Sequence, residues 1–266
     1  MKGNIAQPDT INHYVYCWNE PMGLVDWNGE EAIVISGGHA GYESHYMFIE
    51  TGINSIKNIR KSTPDEEITW IIADSGYSKS DKSKFQNTGN CYGVNVEFVS
   101  ESSEIVSYIN TKGGDVEKRK KDKVSRVEVF SHGNAEGLLL GYKQNQNVNF
   151  YSDDISKLES YAFNNATTWF GSCNTGTIGS NGNSFAQLWV NMTGGKARAA
   201  VNGQTTYTHI NVVEGLGFWG KMEKRLRSLQ RATIKYSADG SYNYPTPSAG
   251  IDFPYVTPER GVDTCA

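Results

Sequence analysis

The chain predicts an α/β sandwich with a mostly parallel central sheet flanked by helices, and three observations carry that expectation. Apolar runs of strand length, AIVIS at 32–36, ITWIIA at 68–73 and VSRVEVF at 124–130, alternate with stretches of helical period. The first run is continuous rather than alternating, as in a strand covered on both faces. Glycine is abundant, 28 residues against 7 prolines and with no collagen-like period, which suits many tight turns between such units.

Ala32–Ser36 ends in Gly37-Gly38 and reads as a buried parallel strand. A helix is expected from Tyr46 to Ile59, with Phe48, Ile49, Ile53 and Ile56 on one stripe. Ile68–Ala73 and Val94–Val99 are further strands, and Ser103–Tyr108 begins a short helix. After the strand Val124–Phe130 come a hairpin-like pair, LLLGY with VNFY, and a helix expected from Asp153 to Phe163, opened by Ser152-Asp153-Asp154. Thr167–Phe170 is a strand, Ser184–Asn191 a helix, Ala197–Val201 a strand and Val213–Leu229 a helix. A hairpin around Asp239-Gly240 and irregular chain complete the reading, with no internal repeat.

Composition narrows the function classes. With 25 basic and 29 acidic residues the net charge is −4, so no global basic field draws the chain to nucleic acid. No stretch approaches the roughly 20 apolar residues of a membrane span. The start, MKGNIAQPD, lacks the apolar run of a secretory signal, so export would use another route. Cys17, Cys91, Cys173 and Cys265 show no CxxC spacing and are too few for a disulfide scaffold, which makes reduced thiols the default.

Residues 12–29, NHYVYCWNEPMGLVDWNG, alternate Tyr14 and Tyr16 as in a short strand, break at Pro21 and close on the turn Asp26-Trp27-Asn28-Gly29. The spacing of Asn12, Tyr14, Tyr16, Asn19, Pro21, Asp26 and Gly29 resembles the end of the Rhs/YD-repeat associated core, with Trp27 where that family has proline. In that family the point is the seam between a shared shell and a variable C-terminal effector. The expected division is therefore a seam segment at 1–29, a main domain at 30–231, and a C-terminal hairpin and tail packing on it at 232–266.

Parallel strands present function at their carboxyl ends. VSRVEVF runs into Ser131-His132-Gly133-Asn134, and TTWF runs into Gly171-Ser172-Cys173-Asn174-Thr175-Gly176. If the two strands are neighbours, imidazole and thiol emerge at one edge, where the imidazole can take or give the proton that thiol chemistry requires. The backbone N–H groups of Gly133 and Cys173 would form an oxyanion hole, and the small Gly171 and Ser172 would admit a substrate chain.

A hydrophobic strand ending in His-Gly, followed by one ending in a small residue and Cys, resembles the paired signature of the caspase-like (clan CD) cysteine peptidases. GSCNTG is similar to the segment around the nucleophile of CHAT-type proteases, and the group includes the self-processing domains of large bacterial toxins. The resemblance covers roughly residues 30–230 and implies a caspase-like three-layer sandwich. It implies His132 as general acid/base, Cys173 as nucleophile and Gly133 as oxyanion support, with no obligatory third residue and no metal or cofactor. Ser172, Gly203, Gln204 and Thr205 are the expected substrate-binding residues, the last three because they follow the strand after the nucleophile. The partners implied are a protein or peptide substrate and, for an Rhs effector, a neutralising immunity protein. Such an effector is secreted or delivered without a classical signal peptide; without delivery the chain would be cytoplasmic. A module that cuts only its own parent chain, or a non-catalytic one, is the alternative.

Other constellations compete. Phe130–Ala135 is also similar to the oxyanion loop of α/β-hydrolases, an esterase or thioesterase reading, but Gly171–Thr175 misses the last glycine of the nucleophile elbow and His209 is the sole downstream histidine. Gly37-Gly38-His39-Ala40-Gly41 lacks a phosphate-binding register and reads as a turn or groove wall. His39 and His45 form no recognised metal motif. The run EKRKKDK at 117–123 reads as a solvated loop, although the inositol-phosphate switch of toxin self-processing domains would make it the seat of an anionic activator. Asp153 and Asp154 read as helix caps rather than a pocket for basic side chains.

Overall fold

A computed structural model describes residues 30–38, 46–180, 182–201, 232–237 and 242–243. The strands are β1 (Glu30–Ser36), β2 (Glu67–Ala73), β3 (Asn95–Val99), β4 (Lys123–Phe130), β5 (His132–Asn134), β6 (Gly137–Leu139), β7 (Phe150–Tyr151), β8 (Phe163–Phe170), β9 (Lys196–Val201), β10 (Ala232–Ser237) and β11 (Tyr242–Asn243). The helices are α1 (Met47–Ser62), α2 (Lys79–Cys91), α3 (Ser102–Thr111), α4 (Val116–Lys121), α5 (Ser152–Ile155) and α6 (Phe185–Thr193). The main sheet runs β11-β10-β9-β8-β4-β1-β2-β3. Its six strands from β9 to β3 are all parallel, and β10 and β11 continue it antiparallel. The expected C-terminal hairpin thus adds to the main sheet, with Lys235 opposite Asn243.

The apolar runs divide between two faces, as a strand's period of two requires. Ile33 and Ile35 of β1 and Ile71 of β2 join one core with Ile105 and Ile109 of α3 and Phe185 and Trp189 of α6. Ala32, Val34, Trp70 and Ile72 join the other with Phe48, Ile49, Ile53 and Ile56 of α1 and Phe85 of α2. Both faces of the sheet are therefore covered. Among the described residues no helix is long and apolar enough to cross a membrane.

Several local expectations change. Helix α2 was not foreseen, because KSDKSKFQNTGNC offers one large apolar residue. It starts on a reciprocal cap, in which Ser78 accepts from the Asp81 N–H and Asp81 accepts from the Ser78 N–H, and Phe85 is the single large apolar residue it buries in the core. The helix expected over 153–163 shortens to α5 plus a 3-10 turn at Ser160–Ala162. The side chain of Asn110 explains this: its amide donates to the Lys157 carbonyl (2.9 Å) and its oxygen accepts from the Glu159 N–H (2.9 Å), so these groups bond across elements rather than along a helix. Asp154 accepts from the Tyr151 N–H and the Lys157 ammonium, the capping role foreseen for it. Cys91 is disulfide-bonded, which corrects the reduced-thiol default there, and Cys173 is not. The seam segment and the helix expected at 213–229 lie outside the described residues.

The run at 117–123 is not a loop: it forms α4 and the first residue of β4. Glu117, Lys118, Lys120 and Lys121 are exposed as expected, but Arg119 is fully buried, 2.7 Å from the Glu31 carboxylate, itself fully buried. Thr69 and Tyr108 hydroxyls donate to the other Glu31 oxygen, and burial beside Glu31 pushes the Tyr108 phenol up, which keeps it a donor. The Lys112 ammonium pairs with Glu67 and Asp122 nearby in the chain's fold. This cluster lies by the amino ends of β1 and β2, so the Arg119 guanidinium is committed to the fold.

Replacing Arg119 by Met leaves the Glu31 charge buried without its partner and should cost about 3–5 kcal/mol, read from urea denaturation. The double variant Glu31→Gln/Arg119→Met should recover most of that loss.

Candidate functional site

Strands β4 and β8 are hydrogen-bonded neighbours, with Val129 opposite Phe170. His132 lies three residues beyond Val129 and Cys173 three residues beyond Phe170, so the two chains leave the sheet in step. The Gly171 N–H donates to the Val129 carbonyl at 2.7 Å and extends the pairing past the strand ends. One residue before each candidate, the Ser131 and Ser172 hydroxyls meet at 2.9 Å, both buried. Parallel neighbours are spaced about 4.8 Å apart, which makes this link the natural consequence of equal offsets.

Gly133 closes the approach. A Cβ there would lie 2.8 Å from the Cys173 carbonyl oxygen, 2.9 Å from Ser172 Cβ and 3.3 Å from the Cys173 nitrogen. Only a glycine lets the His132-bearing chain pack on the Cys173 backbone at this distance. His132 itself opens β5, which pairs with β6 through a turn held by Asn134, whose side-chain oxygen accepts from the Glu136 and Gly137 N–H groups.

The segment after Cys173 is pinned from three directions. Asn174 takes a left-handed φ of 57°, a conformation asparagine tolerates, and turns the chain at once. The Gly176 N–H then donates to Ala200 of β9, and Thr175 accepts from the Ala186 N–H at the start of α6. Glu136, on the turn beside β5, accepts from both the N–H and the hydroxyl of Ser180 at 2.9 Å, and those bonds hold its carboxyl below the ordinary range. Since α6 begins only at Phe185, a sharp strand-turn-helix elbow does not follow Cys173.

The edge is also where the sheet's connectivity reverses. From β1 the chain builds β2 and β3 outward on one side, and β4, β8 and β9 on the other. In open α/β sheets a ligand crevice lies at the carboxyl ends beside such a reversal. Gly37 and Gly38 follow β1 there, bonded to Phe130 and Leu140 carbonyls, and Ser131-His132 follow β4. These bonds tie Gly37-Gly38 to the ends of β4 and β6; His39, Ala40, Gly41 and His45 lie outside the described residues.

Three expected residues, His132, Gly133 and Cys173, come together, with the first and last half-buried. Ser172 is adjacent, but its side chain is fully buried against Ser131, so it faces the interior. Gly203, Gln204, Thr205 and His209 lie outside the described residues. Sequence reasoning passed over Glu136 and the aromatic neighbours of His132, Phe48 and Tyr142, the last two because they reach the site from other elements. At Tyr142 the left-handed residue is itself neither glycine nor asparagine, so its type does not announce the conformation.

Glu50, on the first turn of α1 near Phe48, is pushed up to about 7 by burial. The positive helix end would favour its anion, and desolvation outweighs it. A folded value above the unfolded one means that the stabilising contribution is full below the ordinary carboxylate range and is lost as pH rises through about 7. Glu50→Gln should therefore raise the melting temperature relative to the native chain at pH 8 and leave it nearly unchanged at pH 4. Gly133→Ala should destabilise the fold by about 1–3 kcal/mol in urea denaturation and shift the backbone amide resonances of Ser172 and Cys173, since the new methyl meets backbone that must move.

Compared with family models, with curated proteins and with solved structures, the chain gives no match in any of the three, so the assignment of its chemistry rests on the geometry of this edge.

Proposed function

We propose that the chain is a cysteine peptidase that uses His132 and Cys173 and has the three-layer caspase-like architecture its signature resembles. The single observation that carries the reading is the equal three-residue offset of the two side chains beyond the Val129–Phe170 pair on neighbouring parallel strands. Gly133 packing on the Cys173 backbone supports it, because that contact draws together the two peptide units that the mechanism needs.

The Cys173 thiolate attacks a peptide carbonyl, and a bond forms from sulfur to carbon. The oxyanion rests on the N–H groups of Gly133 and Cys173. His132 delivers its proton to the leaving amine as the C–N bond breaks, and water, deprotonated by His132, then hydrolyses the thioester. The step requires no metal or cofactor. The absence of a strand-turn-helix elbow after Cys173 favours this reading over the esterase alternative.

The seam motif at 12–29 supports a biological setting as the effector end of an Rhs-type protein, delivered to another cell and accompanied by an immunity protein. The anionic activator remains part of the proposal for chemistry other than Arg119, whose charge is already paired.

A panel of fluorogenic peptides varied at the residue before the scissile bond, read with and without Ca²⁺ and inositol hexakisphosphate, tests the reading. Cleavage should vanish in Cys173→Ala and fall about 10²–10⁴-fold in His132→Ala. Loss of cutting of the parent chain alone in Cys173→Ala would restrict the enzyme to self-processing. Cleavage undiminished in both variants would overturn the proposal.

A further inference from the structure

The turn that follows β6 holds one residue in a conformation its type avoids. Tyr142 has φ of 42°, in the left-handed region that an L side chain with a bulky ring rarely enters. The other described non-glycine residues in that region are Asn165 and Asn174, of a type that tolerates it, and Lys112, the C-cap of α3. The turn around Tyr142 is fixed on several sides. Its own N–H donates to Leu139, the Gln144 N–H donates to Gly141 at 2.9 Å, and the Gly141 N–H donates to the Asn149 side chain at 2.9 Å. A Cβ on Gly141 would collide with the Asn145 carbonyl, so the chain has no slack there.

The strained residue lies against the candidate acid/base. The Tyr142 ring centre is 4.3 Å from that of the His132 imidazole, with 33° between the planes. Phe48 meets the same imidazole edge-on, at 5.2 Å and 87°. Two aromatic rings from separate elements, α1 and the turn after β6, therefore bound the imidazole on two sides. Backbone strain that the surrounding structure over-determines, next to a functional group, is a pointer to function.

The geometry points to Tyr142 as a positioning residue for His132: the left-handed turn lays the phenol ring on the imidazole and fixes the ring plane that must meet the leaving amine. The inference rests on the reading of His132 as the proton donor. A ring free to rotate about its terminal torsion samples many planes, whereas a stacked one is held near the productive plane before substrate arrives.

Three variants of the full chain test it. Tyr142→Phe keeps the stack and should retain kcat close to the native value. Tyr142→Leu and Tyr142→Gly remove it and should lower kcat about 10-fold to 100-fold with KM nearly unchanged. The glycine variant also relieves the backbone strain, so its melting temperature separates a lost stack from a lost fold. In a Cys173→Ala background, the ring-proton resonances of His132 should move downfield when the stacked ring current is removed by Leu or Gly, and stay in place with Phe.

Full kcat in the Leu or Gly variant, or unmoved His132 resonances, would overturn the inference. The resonance readout needs no turnover, which keeps the two ideas apart. Resonances that move in a chain that cleaves no peptide would sink the peptidase reading and leave the placement of Tyr142 standing. Cleavage that depends on Cys173, together with unmoved resonances, would sink the role of Tyr142 alone.

Discussion

A parallel sheet covered on both faces has no solvent-facing side along the length of its strands, so its chemistry is confined to the strand ends. This constraint organises the molecule. Between β9 and β3 six strands run in one direction, and their interiors are occupied by Ile33, Ile71, Val127, Ala32, Val34 and Trp70 on alternating faces. Polar and reactive groups that the chain carries next to those runs emerge at one of two edges. The carboxyl edge receives His132 and Cys173 from adjacent strands in step, and the shared pairing of β4 and β8 sets their separation more firmly than any loop would.

The two edges use polar groups in opposite ways. Near the amino ends, the buried Glu31 and Arg119 form an ion pair and Tyr108 and Thr69 donate to Glu31, an arrangement whose charges cost heavily to bury and are tolerable because each charge finds its opposite. At the carboxyl end, backbone is brought close to backbone through glycine, and the His132 and Cys173 side chains stay half-buried. Gly133 on Cys173 and the Ser131–Ser172 link hold the two chains together there without using the imidazole or the thiol. Two left-handed residues lie at that edge too, Asn174 directly after the thiol and the strained Tyr142 beside the imidazole.

Much of the framework was legible in the residues. Apolar runs announced β1 and β2, the stripe of Phe48, Ile49, Ile53 and Ile56 announced α1, and the turn chemistry at Asp239-Gly240 announced the pairing of β10 with β11. What failed did so where long-range contacts outweigh local pattern. Helix α2 is almost wholly polar, opens on a reciprocal cap and buries a single large apolar residue, Phe85, in the core. The helix expected through Phe163 gives way because Asn110, far off in the chain, takes the backbone groups around Leu158. A basic run that reads as solvated turns out to carry a buried arginine, since nothing nearby in the chain shows that Glu31 awaits it.

The sequence by itself determined the α/β class and the strand ends on which His132 and Cys173 stand, because apolar period acts over a few neighbours, whereas the need for glycine at 133 comes from the Cys173 backbone packed against it. Tertiary structure alone decided that β4 and β8 lie side by side in register, that Ser172 faces inward to Ser131, and that Phe48 and Tyr142 bound the imidazole. Those facts join residues distant along the chain, and their energies come from burial and hydrogen bonding that exist only once the sheet has formed.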